Sequence, residues 1–324
     1  MVTRRRPLGI LIHLYSKHRI NRSSWFKPLH HICKEKLMTY HSKTQDALDQ
    51  LLSQMDYGER VAADPIRFPK RYKNQKDQEL VALFSALLAY GRVKSIGECL
   101  ERLFDSLGDS PATLAMIDAQ NYRLNGCFER RFPDFVYRFT RENDLNKLWI
   151  AVGEIFIRYE NLGQCFMSHD QAEDSSLISA YQGFYNELNH YSKGLIGGRG
   201  FNHLVSDPKK GSALKRINMF LRWMVRGPDQ VDLGLWSNLG SHRLIIPLDV
   251  HVFRLSSALA LTQRRTPDLK TALEITKKLR EFDPIDPIKY DFAIAHLGIS
   301  GACKGHRILD ICQKCPLNQL CSLA

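Results

Sequence analysis

The sequence predicts an all-α fold that ends in a cysteine-rich loop. Apolar residues recur at helical spacing along most of the chain, and no stretch of any length alternates apolar and polar residues as a half-buried strand does. Four of the eight cysteines fall at the C-terminal end. Hydrophobic residues make up 44% of the 324 residues and charged residues 25%, which is typical of a soluble globular protein. No uncharged apolar run is long enough to predict a membrane-spanning helix or a membrane partner.

The apolar spacing, together with proline and glycine breaks, predicts the helices of the first part of the chain. They cover residues 44–55, 77–107 with an interruption at Gly91, a short helix from Pro111, 145–159 and 175–188. Residues 64–73 hold two prolines and are expected to form a loop.

Residues 195–212 are predicted to be a loop, because four glycines and Pro208 disfavour regular helix there. The loop and the helix after it are basic, through Arg199, Lys209, Lys210, Lys215 and Arg216. A glycine-rich turn that opens into a helix presents backbone N–H groups, which bind phosphate oxygens. The alternative is a surface loop whose basic groups are simply solvated.

The last third of the chain is expected to contain four helices: residues 214–225, 250–261, 269–282 and 288–298. Residues 227–246 are irregular, with Trp236 as their buried contact. Asp249 and Asp268 each stand directly before a helix, in the position of an N-cap.

The net charge of +12 lies largely in the N-terminal segment, since residues 1–36 contain nine lysines and arginines and one acid. We therefore interpret residues 1–37 as a basic extension, expected to be disordered, that precedes the globular body. A nucleic-acid-binding arm, a transit peptide and a true start at Met38 remain alternatives. The body is mildly basic, which suits an anionic partner.

The C-terminal cysteines have the spacing C-x8-C-x2-C-x5-C, at Cys303, Cys312, Cys315 and Cys321. Paired disulfides are typical of small secreted domains, which this long chain without an export signal does not resemble. Zinc sites usually contain two close cysteine pairs, and only Cys312 and Cys315 form one here. Four thiolates on one short loop favour a 4Fe–4S cluster, with zinc as the alternative.

Asp249 is the candidate catalytic residue. A carboxylate at a helix N-terminus is kept ionised by the helix dipole and by free N–H groups, so it can stabilise developing positive charge or orient a water. Alternatively it is only a cap, which stabilises a helix by about 1 kcal/mol.

Together these features resemble the helix–hairpin–helix DNA glycosylase superfamily, whose iron–sulfur members include endonuclease III and the adenine glycosylases. The sequence Pro247-Leu248-Asp249-Val250-His251 is similar to the segment that carries the family's catalytic aspartate, and a four-cysteine loop follows. This chain lengthens only the first interval of the family's C-x6-C-x2-C-x5-C pattern. Ala86–Gly91 also resembles the turn of the family's early helix pair, which faces DNA. The resemblance covers residues 45–324 and is closest to a bacterial branch known only as a domain of unknown function.

The chain departs from the family in its hairpin. Aligning Gly211 with the first hairpin glycine places Lys215 on the lysine nucleophile of the bifunctional enzymes, whereas aligning the prolines places Ala213 there. Lys215 lies farther before Asp249 than in the family, so residues 227–244 are interpreted as an insertion that reshapes the base pocket. His251 is expected to be a packing or hydrogen-bonding residue.

The resemblance implies a glycosylase-like domain over residues 38–300 that consists of two helical subdomains with a cleft between them. One subdomain, residues 80–195, would be inserted between the two parts of the other. Residues 301–324 would form the cluster loop.

The implied function is that of a DNA glycosylase in base excision repair, with or without an abasic-site lyase activity. It would act as a monomer on double-stranded DNA, and we expect it in the cytoplasm at the nucleoid. The other hypothesis is a non-catalytic or redox-sensing nucleic-acid-binding protein of the same fold. The implied site residues are Asp249 and Lys215 for catalysis, and Arg199, Lys209, Lys210, Gly211, Ser212 and Arg216 for nucleic acid.

Overall fold

The structure is a computed structural model that describes residues 41–323. The predicted extension over residues 1–37 and the alternative start at Met38 lie outside the described residues. The chain divides into two units, Met1–Gln45 and Asp46–Ala324. Of the first unit only residues 41–45 are described, and they are helical. The division at residues 80–195 remains a prediction.

The described chain is mostly helical, as the sequence predicts. The helices are α1 (41–53), α2 (Tyr57–Ala63), α3 (Gln75–Leu87), α4 (Val93–Asp105), α5 (Pro111–Asn125), α6 (Glu142–Tyr159), α7 (Leu162–Ser168), α8 (Ile178–Tyr191), α9 (Arg199–Leu204), α10 (Lys215–Val225), α11 (Val250–Ala258), α12 (Leu269–Phe282), α13 (Asp291–Ile299) and α14 (Leu309–Cys312). Short 3-10 turns cover Pro65–Arg67, Pro69–Arg71, Pro208–Lys210 and Ser241–Arg243. Within residues 41–323, the one sheet pairs β1 (Val136–Tyr137) antiparallel with β2 (Thr140–Arg141).

Helix α3 lies at the centre of the core, because apolar side chains surround it on all sides. Residues 80–87 are all buried, and the helix packs against α5, α7 and α10. Trp149 of α6 meets Phe84 of α3 edge to face, at 6.1 Å between ring centroids. The buried carboxylate of Glu79 accepts hydrogen bonds from Leu162 N and Trp236 Nε1, both at 2.7 Å. Helix α3 therefore positions α7 and the irregular segment, and Trp236 is confirmed as a buried contact.

The interrupted helix over residues 77–107 is confirmed as α3 and α4, and the aspartate caps are confirmed at α11 and α12. Several local expectations need correction. Helix α5 is fifteen residues long and is not short, and the predicted loop at residues 195–212 contains α9. The sequence analysis did not expect α2, α7, α14 or the β1–β2 hairpin.

Helix α9 forms despite its glycines because Asp144 caps it from another element. Its Oδ1 accepts hydrogen bonds from Gly198 N at 3.0 Å and Phe201 N at 2.8 Å. A Cβ atom on Gly200 would lie 2.0 Å from Asp144 Oδ2 and 2.5 Å from the carbonyl oxygen of Phe139. The glycine therefore permits close packing of α9 on α6 and on the hairpin.

None of the helices described here combines the length and the apolar character that crossing a membrane requires.

Candidate functional site

Asp249 lies at the N-terminus of α11, where it is half-buried. One carboxylate oxygen, Oδ1, accepts both capping hydrogen bonds, from His251 N at 2.8 Å and Val252 N at 2.9 Å. The other oxygen, Oδ2, has no hydrogen-bond partner within residues 41–323. The cap therefore fixes the side chain and leaves one anionic oxygen for a substrate.

Lys215 is the first residue of α10. It follows Leu214, whose φ of 52° places a non-glycine residue in the left-handed region. The ammonium group contacts the sulfur of Met219 at 3.5 Å, and no carboxylate of the described chain lies within ion-pair distance. The lysine is thus held at the start of a helix without a neutralising acid.

Asp291, the first residue of α13, connects these two side chains electrostatically. Its side chain is buried, and burial raises the pKa of its carboxyl to about 6. This value includes the charge of Asp249, which raises the pKa, and the charges of Arg222 and Lys215, which lower it. Because the charges of both Asp249 and Lys215 act on one buried carboxyl, the N-terminal ends of α10, α11 and α13 face a common region.

A buried network of ion pairs holds this region together. Arg222 of α10 donates to Asp291 at 2.7 Å and to Asp232 at 3.2 Å, and its side chain is only 3% exposed. Arg226 donates to Asp232 at 2.7 Å and to Asp286 at 2.8 Å. Asp232 belongs to the segment interpreted as an insertion, so these pairs fix that segment beside α10 and α13. The Oδ1 atoms of Asp291 and Asp232 are buried without a hydrogen-bond partner.

The segment before α10 is a compact turn. Asp207 accepts a hydrogen bond from Lys209 N, Gly211 has a φ of 73°, and its carbonyl oxygen accepts from Leu269 N at the start of α12. Lys209, Lys210, Gly211 and Ser212 are all exposed. Helix α12 therefore fixes a turn that presents two lysines to solvent.

Arg216 occupies a different environment from the other predicted nucleic-acid contacts. Its guanidinium donates to the carbonyl oxygens of Leu87, at 2.6 Å, and His203, and lies over the ring of Tyr90. The side chain is largely enclosed, and burial lowers its pKa. Arg216 thus joins α10 to α3 and α9, and we leave it out of the proposed interface.

Arg199, the remaining predicted contact, is exposed at the first position of α9. Asp144 holds the start of this helix against α6, and the β1–β2 hairpin lies beside it. His203, later in α9, contacts both Tyr90 and Phe139. Arg199 therefore lies on the same helix, α9, as His203, which contacts Arg216. Arg216 follows Lys215 directly in sequence.

The four C-terminal cysteines line one cavity of about 250 Å³, together with apolar side chains that include Leu51 and Leu317. All four are half-buried, and none forms a disulfide with another cysteine of residues 41–323. Burial raises the pKa of Cys315, and the other three cysteines raise it further through their charge. The loop thus brings the four sulfurs within electrostatic reach of each other.

A 4Fe–4S cluster and a single zinc ion make different demands on the four cysteines. Within residues 41–323, no group of three or more histidine, cysteine or acidic side chains converges on one metal position. A zinc ion requires four ligands around one point, whereas a 4Fe–4S cluster takes one cysteine on each iron and spaces the sulfurs apart. Backbone N–H groups also point to two sulfurs, from Ile308 to Cys312 at 3.4 Å and from Leu317 to Cys315. Such hydrogen bonds tune sulfur ligands in iron–sulfur proteins.

Helix α11 joins the two sites. It begins at Asp249, and one turn later Arg254 lies against Gly305 and donates to the carbonyl oxygen of Cys303 at 3.5 Å. His251 packs on Gly298 of α13, in line with its expected packing role. The cysteine loop therefore supports the helix that carries Asp249.

Asp291 is the site residue that the sequence reasoning missed. A signal was present: Asp291 opens an otherwise apolar helix, and Arg222 lies within another apolar stretch. Charged residues are seldom fully buried unless they are paired, so these two could have been matched.

Comparison with protein families finds one match: residues 64–300 fit the model of a family described as "Protein of unknown function (DUF2400)". Comparisons with curated proteins and with solved structures find no match.

Proposed function

The chain belongs to the DUF2400 family, whose function is unknown, and we propose that it is a DNA glycosylase that removes a flipped-out base from duplex DNA. The observation that carries the proposal is the position of Asp249 and Lys215. One is a carboxylate with a free oxygen, the other an amine without an acid partner, and both act on the buried Asp291. The resemblance to the helix–hairpin–helix glycosylases supports the same roles.

Asp249 acts on the sugar of the flipped nucleotide. When the bond between C1′ and the base breaks, its electron pair leaves with the base, and positive charge develops on the sugar. The free Oδ2 stabilises this charge, while the two capping hydrogen bonds to Oδ1 hold the side chain in place. A preorganised charge of this kind is effective because it needs no rearrangement during the reaction.

The nucleophile that then adds to C1′ is either water or Lys215. With water, a proton passes to Asp249 or solvent and an abasic site remains. With a neutral Lys215 amine, the nitrogen bonds to C1′, the C1′–O4′ bond then breaks as O4′ takes a proton released from the nitrogen, and the resulting imine is reduced by borohydride to a stable amine. The absence of an ion-pair partner on Lys215 in the described chain supports this second route.

Phosphate contacts come from the exposed turn and from α9. Lys209 and Lys210 supply charge, Gly211 and Ser212 supply exposed backbone beside them, and Arg199 approaches from the neighbouring helix. Contacts of this kind position a protein on duplex DNA without reading its sequence. Base flipping from the duplex then gives Asp249 access to C1′.

The four cysteines are proposed to hold a 4Fe–4S cluster. When bound, it crosslinks the C-terminal loop and takes no part in the reaction at the sugar. Arg254 of α11 donates to the carbonyl oxygen of Cys303 in this loop, so a crosslinked loop would stabilise the helix that Asp249 caps.

The test is incubation of the purified protein with duplexes that each contain one damaged or mismatched base, followed by alkali to cleave abasic sites. We expect release of a base from at least one duplex, and a borohydride-trapped protein–DNA adduct that Lys215→Ala abolishes. Release without a trapped adduct assigns the nucleophile to water.

The second hypothesis, a non-catalytic or redox-sensing binding protein, predicts a different result. Tight duplex binding without base release from any duplex in the panel would support it and contradict the glycosylase.

A further inference from the structure

Phe139 is the one exposed phenylalanine, tyrosine or tryptophan within residues 41–323, and 62% of the residue is accessible. It lies at the tip of the β1–β2 hairpin, in the two-residue turn between the paired residues Tyr137 and Thr140. The exposed part of the ring offers a flat apolar surface on an ordered turn, on which another planar group can stack.

The hairpin is held rigidly from beneath. The Tyr90 hydroxyl donates to Tyr137 O at 3.0 Å and hydrogen-bonds Thr140 Oγ1 at 2.6 Å, and the Tyr137 hydroxyl donates to Tyr90 O at 2.6 Å. The Phe139 ring lies nearly parallel to Tyr90, with 21° between the planes and 6.4 Å between centroids. The ring centroids of His203 and Phe139 are 5.1 Å apart, and burial, together with the charge of Arg216, lowers the pKa of His203, which favours the neutral imidazole.

The surface around the ring is basic. Arg92, Arg138, Arg141 and Arg199 are exposed near the hairpin, and none forms an ion pair in the part of the chain that the structure describes. Two of the neighbouring acids are already engaged: Glu142 pairs with Arg130, and Asp144 accepts backbone N–H groups.

We propose that Phe139 and these arginines form a stacking platform for an unpaired base, so that the protein prefers nucleic acid with an unpaired nucleotide to a fully paired duplex. Aromatic rings that stack on bases within a cationic surface bind unpaired nucleotides with little sequence preference. The platform connects to the catalytic region, because His203 and Tyr90 contact both Phe139 and Arg216, which adjoins Lys215. This inference rests on the proposed function and names its substrate class.

The experiment compares two duplexes at one salt concentration: a fully paired duplex, and the same duplex with one extrahelical 2-aminopurine. Binding is followed by fluorescence anisotropy, and stacking by quenching of the 2-aminopurine emission. The proteins are the wild type, Phe139→Ala, Phe139→Trp, and Ile285→Ala as a matched exposed apolar control.

We expect the wild type to bind the bulged duplex more tightly and to quench its emission. Phe139→Ala should weaken binding to the bulged duplex by about 5- to 100-fold, with little change for the paired duplex. Phe139→Trp should retain both signals, and Ile285→Ala should behave as the wild type. If Phe139→Ala loses the same affinity for both duplexes, or loses none, the stacking platform is contradicted. The proposal that the wild type binds duplex DNA is not affected by that result. A wild-type protein that binds neither duplex would instead contradict the proposed function itself.

Discussion

The guanidinium of Arg222 lies 2.7 Å from the carboxylate of Asp291, and both groups are buried. This pair lies beneath the proposed active site, because the charges of Asp249 and Lys215 act on the same carboxyl. A buried ion pair contributes little net stability when it is intact, but removing one partner leaves an uncompensated charge. The pair therefore makes the geometry of the site sensitive to single substitutions.

Arg222→Ala is expected to lower the free energy of unfolding by about 3–5 kcal/mol, since Asp232 and Asp291 would both lose a buried partner. Urea denaturation measures the difference. The control is Arg130→Ala, which removes an exposed pair with Glu142 and should change the free energy of unfolding far less. Equal losses in the two variants would show that the buried network does not behave as described.

Asp291→Asn is expected to change how stability depends on pH. In the folded protein the Asp291 carboxyl keeps its proton up to about pH 6, whereas an unfolded aspartate loses it near pH 4. The folded state therefore binds the additional proton in this window, so the contribution of Asp291 to the unfolding free energy falls as pH rises from about 4 to about 6.

The variant lacks this group, so its unfolding free energy should fall less steeply than that of the wild type across the same window. The difference in slope should reach at most about 1.4 kcal/mol per pH unit. Urea denaturation at a series of pH values measures both slopes. Parallel curves would mean that Asp291 titrates normally in the folded state.

Cys312→Ser and Cys315→Ser are expected to remove the cofactor, because each replaces a thiolate on the shared cavity. Anaerobically purified wild-type protein should be brown and should contain iron and acid-labile sulfide. Cys127→Ser is the matched control, since that exposed cysteine lies outside the loop. Colourless wild-type protein with one zinc per chain would contradict the cluster.

Gly200→Ala is expected to weaken duplex binding, because a Cβ atom there would meet Asp144 and the backbone of Phe139 and displace α9 with Arg199. Gly198→Ala is the control: its Cβ atom would have only Asp144 Oδ1 within reach, at 3.9 Å. Fluorescence anisotropy with a duplex compares the two variants. Unchanged duplex binding by Gly200→Ala would show that α9 is not part of the nucleic-acid-binding surface.

The local signals in the sequence predicted the helices well. Asp249 and Asp268 were recognised as caps because a cap depends on residues only two or three positions away. Helices α3 and α10 were recognised because the spacing of their apolar residues is also a local feature of the sequence. The hairpin was missed because two-residue strands are too short to show alternation.

The candidate site was predicted only in part, because its assembly depends on contacts distant in sequence. Asp144 caps a helix more than fifty residues later, and Arg222 pairs with Asp291 across 69 positions. Arg216 was assigned to the nucleic-acid surface because it is basic and ends the hairpin-like segment from Gly211, and in the structure it donates to two carbonyl oxygens inside the protein. Sequence position does not reveal which of several arginines turns inward.

The central claim is that Asp249 stabilises charge on the sugar as the base leaves. The most direct measurement is the single-turnover rate of base release, for a substrate found with the duplex panel, by the wild type and by Asp249→Asn. Asp56→Asn is the matched control, because Asp56 also caps a helix but lies on α2. We predict that Asp249→Asn slows release by about 100-fold or more while duplex binding and the Asp56→Asn rate are unchanged. Release by Asp249→Asn at the wild-type rate would contradict the account.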